Sequence, residues 1–202
     1  MRTRLILLLT ITACTADRGA PPSLDQEHPG RLAGDAIDSI LPMPEYLRRF
    51  REGSAEVMAL SGEVTSRDTI AARLLRAVAA HDSSAFADLA VSRAEFGWLV
   101  FPSHRYSVPP YELDPAIFWL QIQAASERGA ARLLEQYGGK TLRFRSVTCT
   151  ADTVQSISNN VRMWSGCITE FQVDGTTESA RLFGTIIERD GVVKVLGYGN
   201  EL

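Results

Sequence analysis

Few residues in this chain combine type and spacing in a way that does chemistry. The candidates are three cysteines, three histidines and a few carboxylates. His28, His81 and His104 are scattered and no Cys-x-x-Cys pair exists, so zinc-ligand spacing is lacking. His104 sits among rings, in a stretch that also holds Tyr106, Pro109, Pro110 and Tyr111. With a carboxylate beside it, His104 could act as a general base. The helical part offers Asp88, Glu95 and Asp114. Asp114 precedes Pro115 and reads as a helix cap, and Asp88 reads as surface. Glu95 has no partner that the sequence names. Ser103-His104 are neighbours, and adjacent loop residues seldom form a nucleophile and base couple. No Gly-x-Ser-x-Gly, His-Glu-x-x-His or phosphate-loop motif occurs. No catalytic residue and no cofactor is therefore assigned. The rings are more informative. Trp98, His104, Tyr106, Tyr111 and Trp164 form the candidate pocket or rim, because ligand sites are usually aromatic-lined concavities with a few polar groups. Phe118 and Trp119 read as core.

The elements that would position these groups begin after a leader. Arg2 and Arg4 precede the apolar run Leu5–Ile11, which is too short for the roughly 20 residues of a membrane span. Ile11-Thr12-Ala13-Cys14 resembles a bacterial lipobox. That resemblance implies a signal peptide over 1–13, cleavage before Cys14 and a lipid on its thiol. An ordinary secretory signal or a signal anchor is the alternative. Losing Arg2 and Arg4 takes the net charge from −3 to about −5. Neither value, nor any basic and aromatic interleaving, suggests a nucleic-acid partner. Thr15 and Ala16 follow the cysteine in place of an aspartate, which points to the outer membrane or the periplasmic face. An exported compartment is oxidising, so the two remaining thiols, Cys149 and Cys167, are expected to pair. Closing the 17-residue loop between them would contribute on the order of 3 kcal/mol. Two separate buried thiols are the other reading.

Residues 14–34 are rich in Pro, Gly and Asp and read as a flexible tether. Residues 35–64 form a helical lead-in, with a helix from Pro44 through Arg51. A firm helix covers Thr65–Ala80, capped by Ser66 or Asp68, and a shorter one carries Phe86, Leu89 and Val91. The longest helix runs from Asp114-Pro115 to Tyr137-Gly138-Gly139. Ile117, Leu120, Ala124, Ala131 and Leu134 are expected on its apolar side. Three β stretches follow: Thr141–Val147, a long strand Val161–Val173, and a hairpin 181–198 turning at Asp190-Gly191, together a four-strand meander. Gly166, Gly184 and Gly197 inside them suggest bends.

Helices first and an antiparallel meander last give an α+β fold. The helix pair, the apolar segment Phe96–Phe101 and the glycine-marked strands resemble the nuclear-transport-factor-like fold shared with ketosteroid isomerases, over residues 65–202. That resemblance implies helices packed into the concave face of a bent, cone-shaped sheet. The layout also resembles bacterial lipoproteins carrying such a domain, and brings no activity with it. The expected role is binding of a small molecule or a partner protein in the cell envelope, with the membrane held through the N-terminal lipid. A cavity enzyme or a purely structural lipoprotein is the alternative.

Overall fold

The α-helices after the first start at a side-chain cap that the sequence supplies. The computed structural model describes residues 40–150, 155–157 and 160–200. Cys14, His28, the leader and the tether lie outside the described residues. Helix α1 (Met43–Arg51) begins after Pro42, and its arginines Arg48 and Arg49 pair with Glu45. Helix α2 (Arg67–Ala79) is capped by Ser66, whose Oγ accepts from the Thr69 N–H at 3.1 Å. Helix α3 (Ser83–Leu89) is capped by the Asp82 carboxylate. A short turn α4 (Arg93–Glu95) runs on into a π-helical turn over Phe96–Val100. Two 3₁₀ turns, Phe101–Ser103 and Arg105–Ser107, then carry the ring-rich loop. Helix α5 (Pro115–Tyr137) starts where Asp114 accepts from the Ala116 N–H at 2.7 Å.

The buried face of α5 differs from the one its sequence suggests. Ile117 and Leu120 are exposed, whereas Phe118, Trp119, Ile122, Gly129, Leu133 and Tyr137 face the interior. The N-terminal half of α5 is apolar nearly all round, so hydrophobic spacing alone leaves its rotation open by about one residue. What fixes the rotation is Gly129. A methyl group there would collide with the Tyr198 carbonyl oxygen, so only glycine lets the helix backbone approach the end of the sheet.

Among the described residues seven strands follow: β1 (Leu142–Thr148), β2 (Gln155–Ile157), β3 (Val161–Trp164), β4 (Ile168–Val173), β5 (Thr176–Ala180), β6 (Ile186–Arg189) and β7 (Val192–Val195). They form two antiparallel sheets, ordered β1-β4-β5 and β2-β3-β6-β7. The fold is thus α+β, but the four-strand meander is replaced by two small sheets. The long strand expected over Val161–Val173 breaks at Ser165-Gly166, where Gly166 takes φ 62°. Its first half joins one sheet and its second half the other. A continuous apolar run cannot report such a corner, because both halves keep alternating burial. The turns Asp174-Gly175 and Asp190-Gly191 both have positive φ at their two central residues, as two-residue hairpins require.

Two buried clusters fill the interior. One gathers α2, α3, the C-terminal half of α5 and both sheets around Leu74, Phe171, Leu182, Phe183 and Ile186. The other gathers α1 and the π-helical turn around Phe50, Phe96, Phe101, Met163 and Ile187. The Cys149 and Cys167 sulfurs lie 2.06 Å apart, at bonding distance, and extend the β1–β4 ladder one residue past its Thr148–Ile168 pair. Gly129→Ala should lower unfolding stability by about 2–4 kcal/mol in urea denaturation, through overpacking against Tyr198. A change under about 0.5 kcal/mol would mean that α5 crosses the sheet end elsewhere.

Candidate functional site

Glu95 is the chemically richest side chain of the described residues. It is 2% exposed, and Lys194 beside it is 5% exposed. The Lys194 Nζ donates to both carboxylate oxygens, at 3.1 and 3.0 Å, and to the Ser61 Oγ at 2.9 Å. Glu95 also accepts from the Ser61 N–H at 2.6 Å, the Ser61 hydroxyl at 2.8 Å and the Ser92 N–H at 2.7 Å. The Ser92 Oγ accepts in return from the Glu95 N–H, which completes a capping box. Burial by itself raises the Glu95 pKa, but the two backbone N–H groups, Lys194 and the Ser61 hydroxyl outweigh it. The net shift is below the ordinary carboxylate range. Serine, lysine and glutamate in contact look like a nucleophile, a base and an orienting group. Here, however, the Lys194 Nζ donates to the Ser61 oxygen and the Ser61 hydroxyl donates to Glu95, so the lysine is not placed as the base of that serine.

Sequence reasoning left Glu95 without a partner, yet two signals mark the pair. Ser92-Arg-Ala-Glu95 before an apolar run is a capping-box pattern, and Lys194 is the one charge in the run Val192–Leu196.

His104 lies in the ring-rich loop and is buried. Its ring centroid is 4.8 Å from that of Tyr106 and 5.0 Å from that of Phe118, and its Nδ1 accepts from the Tyr106 N–H at 3.2 Å. Burial, then the neighbouring Arg105 cation, pushes its pKa down to about 4. Tyr106 in turn stacks edge-on against Tyr111 at 5.3 Å and Phe118 at 5.2 Å. So His104, Tyr106 and Tyr111 do come together. Trp98 packs elsewhere in the same cluster, under the Arg51 guanidinium at 4.1 Å, and its buried Nε1 has no hydrogen-bond partner among the described residues. Trp164 belongs to the other cluster. Arg67 stacks on its ring, and its N–H reaches Glu188 at 3.2 Å. The five ring residues do not share one cavity.

An aromatic groove opens instead between α3–α4 and α5. Its volume is about 380 Å³, and Phe86, Trp119 and Tyr198 form its floor. Ser92, Arg93, Gln123, Ser126 and Glu127 are its polar lining residues. The floor is held rigidly. The Tyr198 hydroxyl donates to the Phe86 carbonyl at 2.7 Å, its N–H donates to the Ser126 Oγ at 3.0 Å, and the Phe86 and Tyr198 rings meet at 4.9 Å. Burial, then the Asp88 carboxylate, raises the Tyr198 pKa, so its phenol stays neutral. Arg93 is fixed over the Phe50 ring and donates to the Phe50 carbonyl at 2.7 Å.

No protein-family model, curated protein or solved structure matches the chain. Among the described residues no group of three or more His, Cys, Asp or Glu side chains could hold a metal. No described helix is long and apolar enough to cross a membrane.

The His104 burial has a pH signature. Between its folded value of about 4 and its ordinary 6.5, the unfolded chain carries a proton that the folded chain does not. Stability from His104 is therefore full above pH 6.5 and is lost as pH falls toward 4. Glu95 acts in a lower window, below its ordinary pKa of 4.5, because its folded value is depressed. Urea unfolding at pH 7 and pH 5 should show His104→Phe losing about 1 kcal/mol less than the wild type. Equal losses would place His104 in solvent.

Proposed function

We propose that this chain is a lipid-anchored protein of the bacterial cell envelope whose folded domain binds a small, largely apolar molecule without transforming it. The anchor rests on the leader, Met1–Ala13, and on the lipobox-like Ile11–Cys14. Export is consistent with the Cys149–Cys167 pair at bonding distance. The nuclear-transport-factor-like layout is supported by helices packed against antiparallel sheets, in the order that this fold uses.

The observation that carries the binding reading is the groove floored by Phe86, Trp119 and Tyr198. It is preorganised, mainly apolar and within the size range of small-molecule sites. Its polar lining, Ser92, Arg93, Gln123, Ser126 and Glu127, supplies groups that can orient a ligand. Two groups that acid–base catalysis could use are committed to other partners. Glu95 is ion-paired, and His104 is packed among rings.

An uncharged probe, N-phenyl-1-naphthylamine, should bind one to one with a rise in fluorescence. Ala87→Trp places a bulky ring on the groove rim from an exposed position and should weaken binding at least about 10-fold, or 1.4 kcal/mol, without lowering thermal stability. Probe binding unchanged in Ala87→Trp would overturn the site. No probe binding at all would favour the purely structural lipoprotein.

A further inference from the structure

We infer that the corner of the domain carrying Val108, Tyr111, Ile117 and Leu120 rests on the lipid surface to which the chain is anchored. This rests on the lipid-anchor reading and extends it. Large apolar side chains normally find cover, yet here Val108 and Ile117 are each 51% exposed, Tyr111 57% and Leu120 68%. They fall on one short stretch, the end of the ring loop and the first turns of α5.

The corner is stiff. The Tyr111 N–H closes a turn on the Val108 carbonyl at 3.1 Å, and the Leu113 N–H reaches back to the Tyr106 carbonyl at 2.8 Å. Tyr106 wedges between Tyr111 and Phe118, and Asp114 caps the helix. The exposed side chains are therefore presented by a rigid support, and their ordering cost is already met by the fold.

The occupant follows from the chain outside the described residues. Ile40, where the described domain begins, lies 26 residues beyond Cys14. Even fully extended, that segment reaches at most about 90 Å. A lipid on Cys14 therefore keeps the domain at a high effective concentration beside the bilayer, where a weak apolar contact suffices. Four side chains are too few for the roughly 800 Å² per partner that a stable protein interface buries. Tyrosine beside aliphatic residues suits the boundary between headgroups and acyl chains. The charges of this stretch, Arg105 against Glu112 and Asp114, give no excess of cations to draw it to an anionic surface, so a zwitterionic one is the match.

The test uses the full lipidated chain in phosphatidylcholine vesicles, part of the lipid carrying a nitroxide near the ester carbonyl. Tyr111→Cys, Leu120→Cys and the control Thr177→Cys, on the exposed side of β5, are each labelled with bimane. The nitroxide should quench the labels at 111 and 120 at least about threefold more than the label at 177. Adding Ile117→Asp should reduce quenching at 111 while the protein still floats with the vesicles. Equal quenching at all three positions in floating protein would overturn the lipid contact and leave the anchor standing. Protein that does not float would overturn both. Labels at 111 and 120 shielded from aqueous iodide but not quenched by the lipid nitroxide would assign the corner to a protein partner and overturn this inference.

Discussion

The arrangement depends most on one buried ion pair. Lys194 lies on β7, the last strand of its sheet, and points into the interior between apolar neighbours. Removing a lysine from water costs several kcal/mol unless its charge is met and its donors are used. Glu95 and Ser61 meet both demands at once. The same contacts tie three distant segments together: the stretch before α2, the α4 turn and the C-terminal strand. Backbone bonds continue the seam. The Val193 N–H donates to the Val64 carbonyl at 2.7 Å, and the Val91 N–H to the Val195 carbonyl at 2.8 Å. The free edge of β7 is thereby covered, which removes an aggregation-prone strand edge. Losing one partner of such a pair leaves the other charge buried and costs about 3–5 kcal/mol. A folded chain therefore keeps both.

This constraint bears on function. The carboxylate best placed for chemistry is spent on holding helices to sheet. The one histidine in the ring-rich loop is neutral and enclosed. Among the open sites is a groove whose aromatic floor is fixed by Tyr198, just beyond the strand that carries Lys194. Groove and scaffold are thus coupled through the C-terminal segment. Residues 193 to 195 hold the seam, and Tyr198 holds the groove and receives α5 at Gly129.

Local signals in the sequence were legible wherever one short motif decides the structure. Ser66, Asp82 and Asp114 cap the helices because their side chains meet free N–H groups within three residues. Asp174-Gly175 and Asp190-Gly191 turn because both central positions take positive φ. The α+β order could be read from the succession of periods. What stayed hidden depends on contacts distant in sequence. Glu95 and Lys194 are 99 residues apart, and no local pattern links them. The rotation of α5 is set by the Tyr198 carbonyl rather than by its own apolar stripe. The break at Gly166 is invisible because both halves of the run are strands, and only the sheet they join differs. The groove was missed for a related reason. Its floor draws on Phe86, Trp119 and Tyr198, from three elements, and Trp119 read as core.

The most direct measurement is the pH titration of the Glu95 side-chain carboxyl by carbon-13 NMR in the folded protein. A structural anion held by Lys194 and two serines should titrate below the ordinary carboxylate range, well under the exposed glutamates of the same spectrum. A midpoint above about 6 would mean a protonated or unpaired carboxyl in an apolar setting, as a general acid requires. That result would contradict the ion-paired seam and restore the cavity enzyme as the better reading.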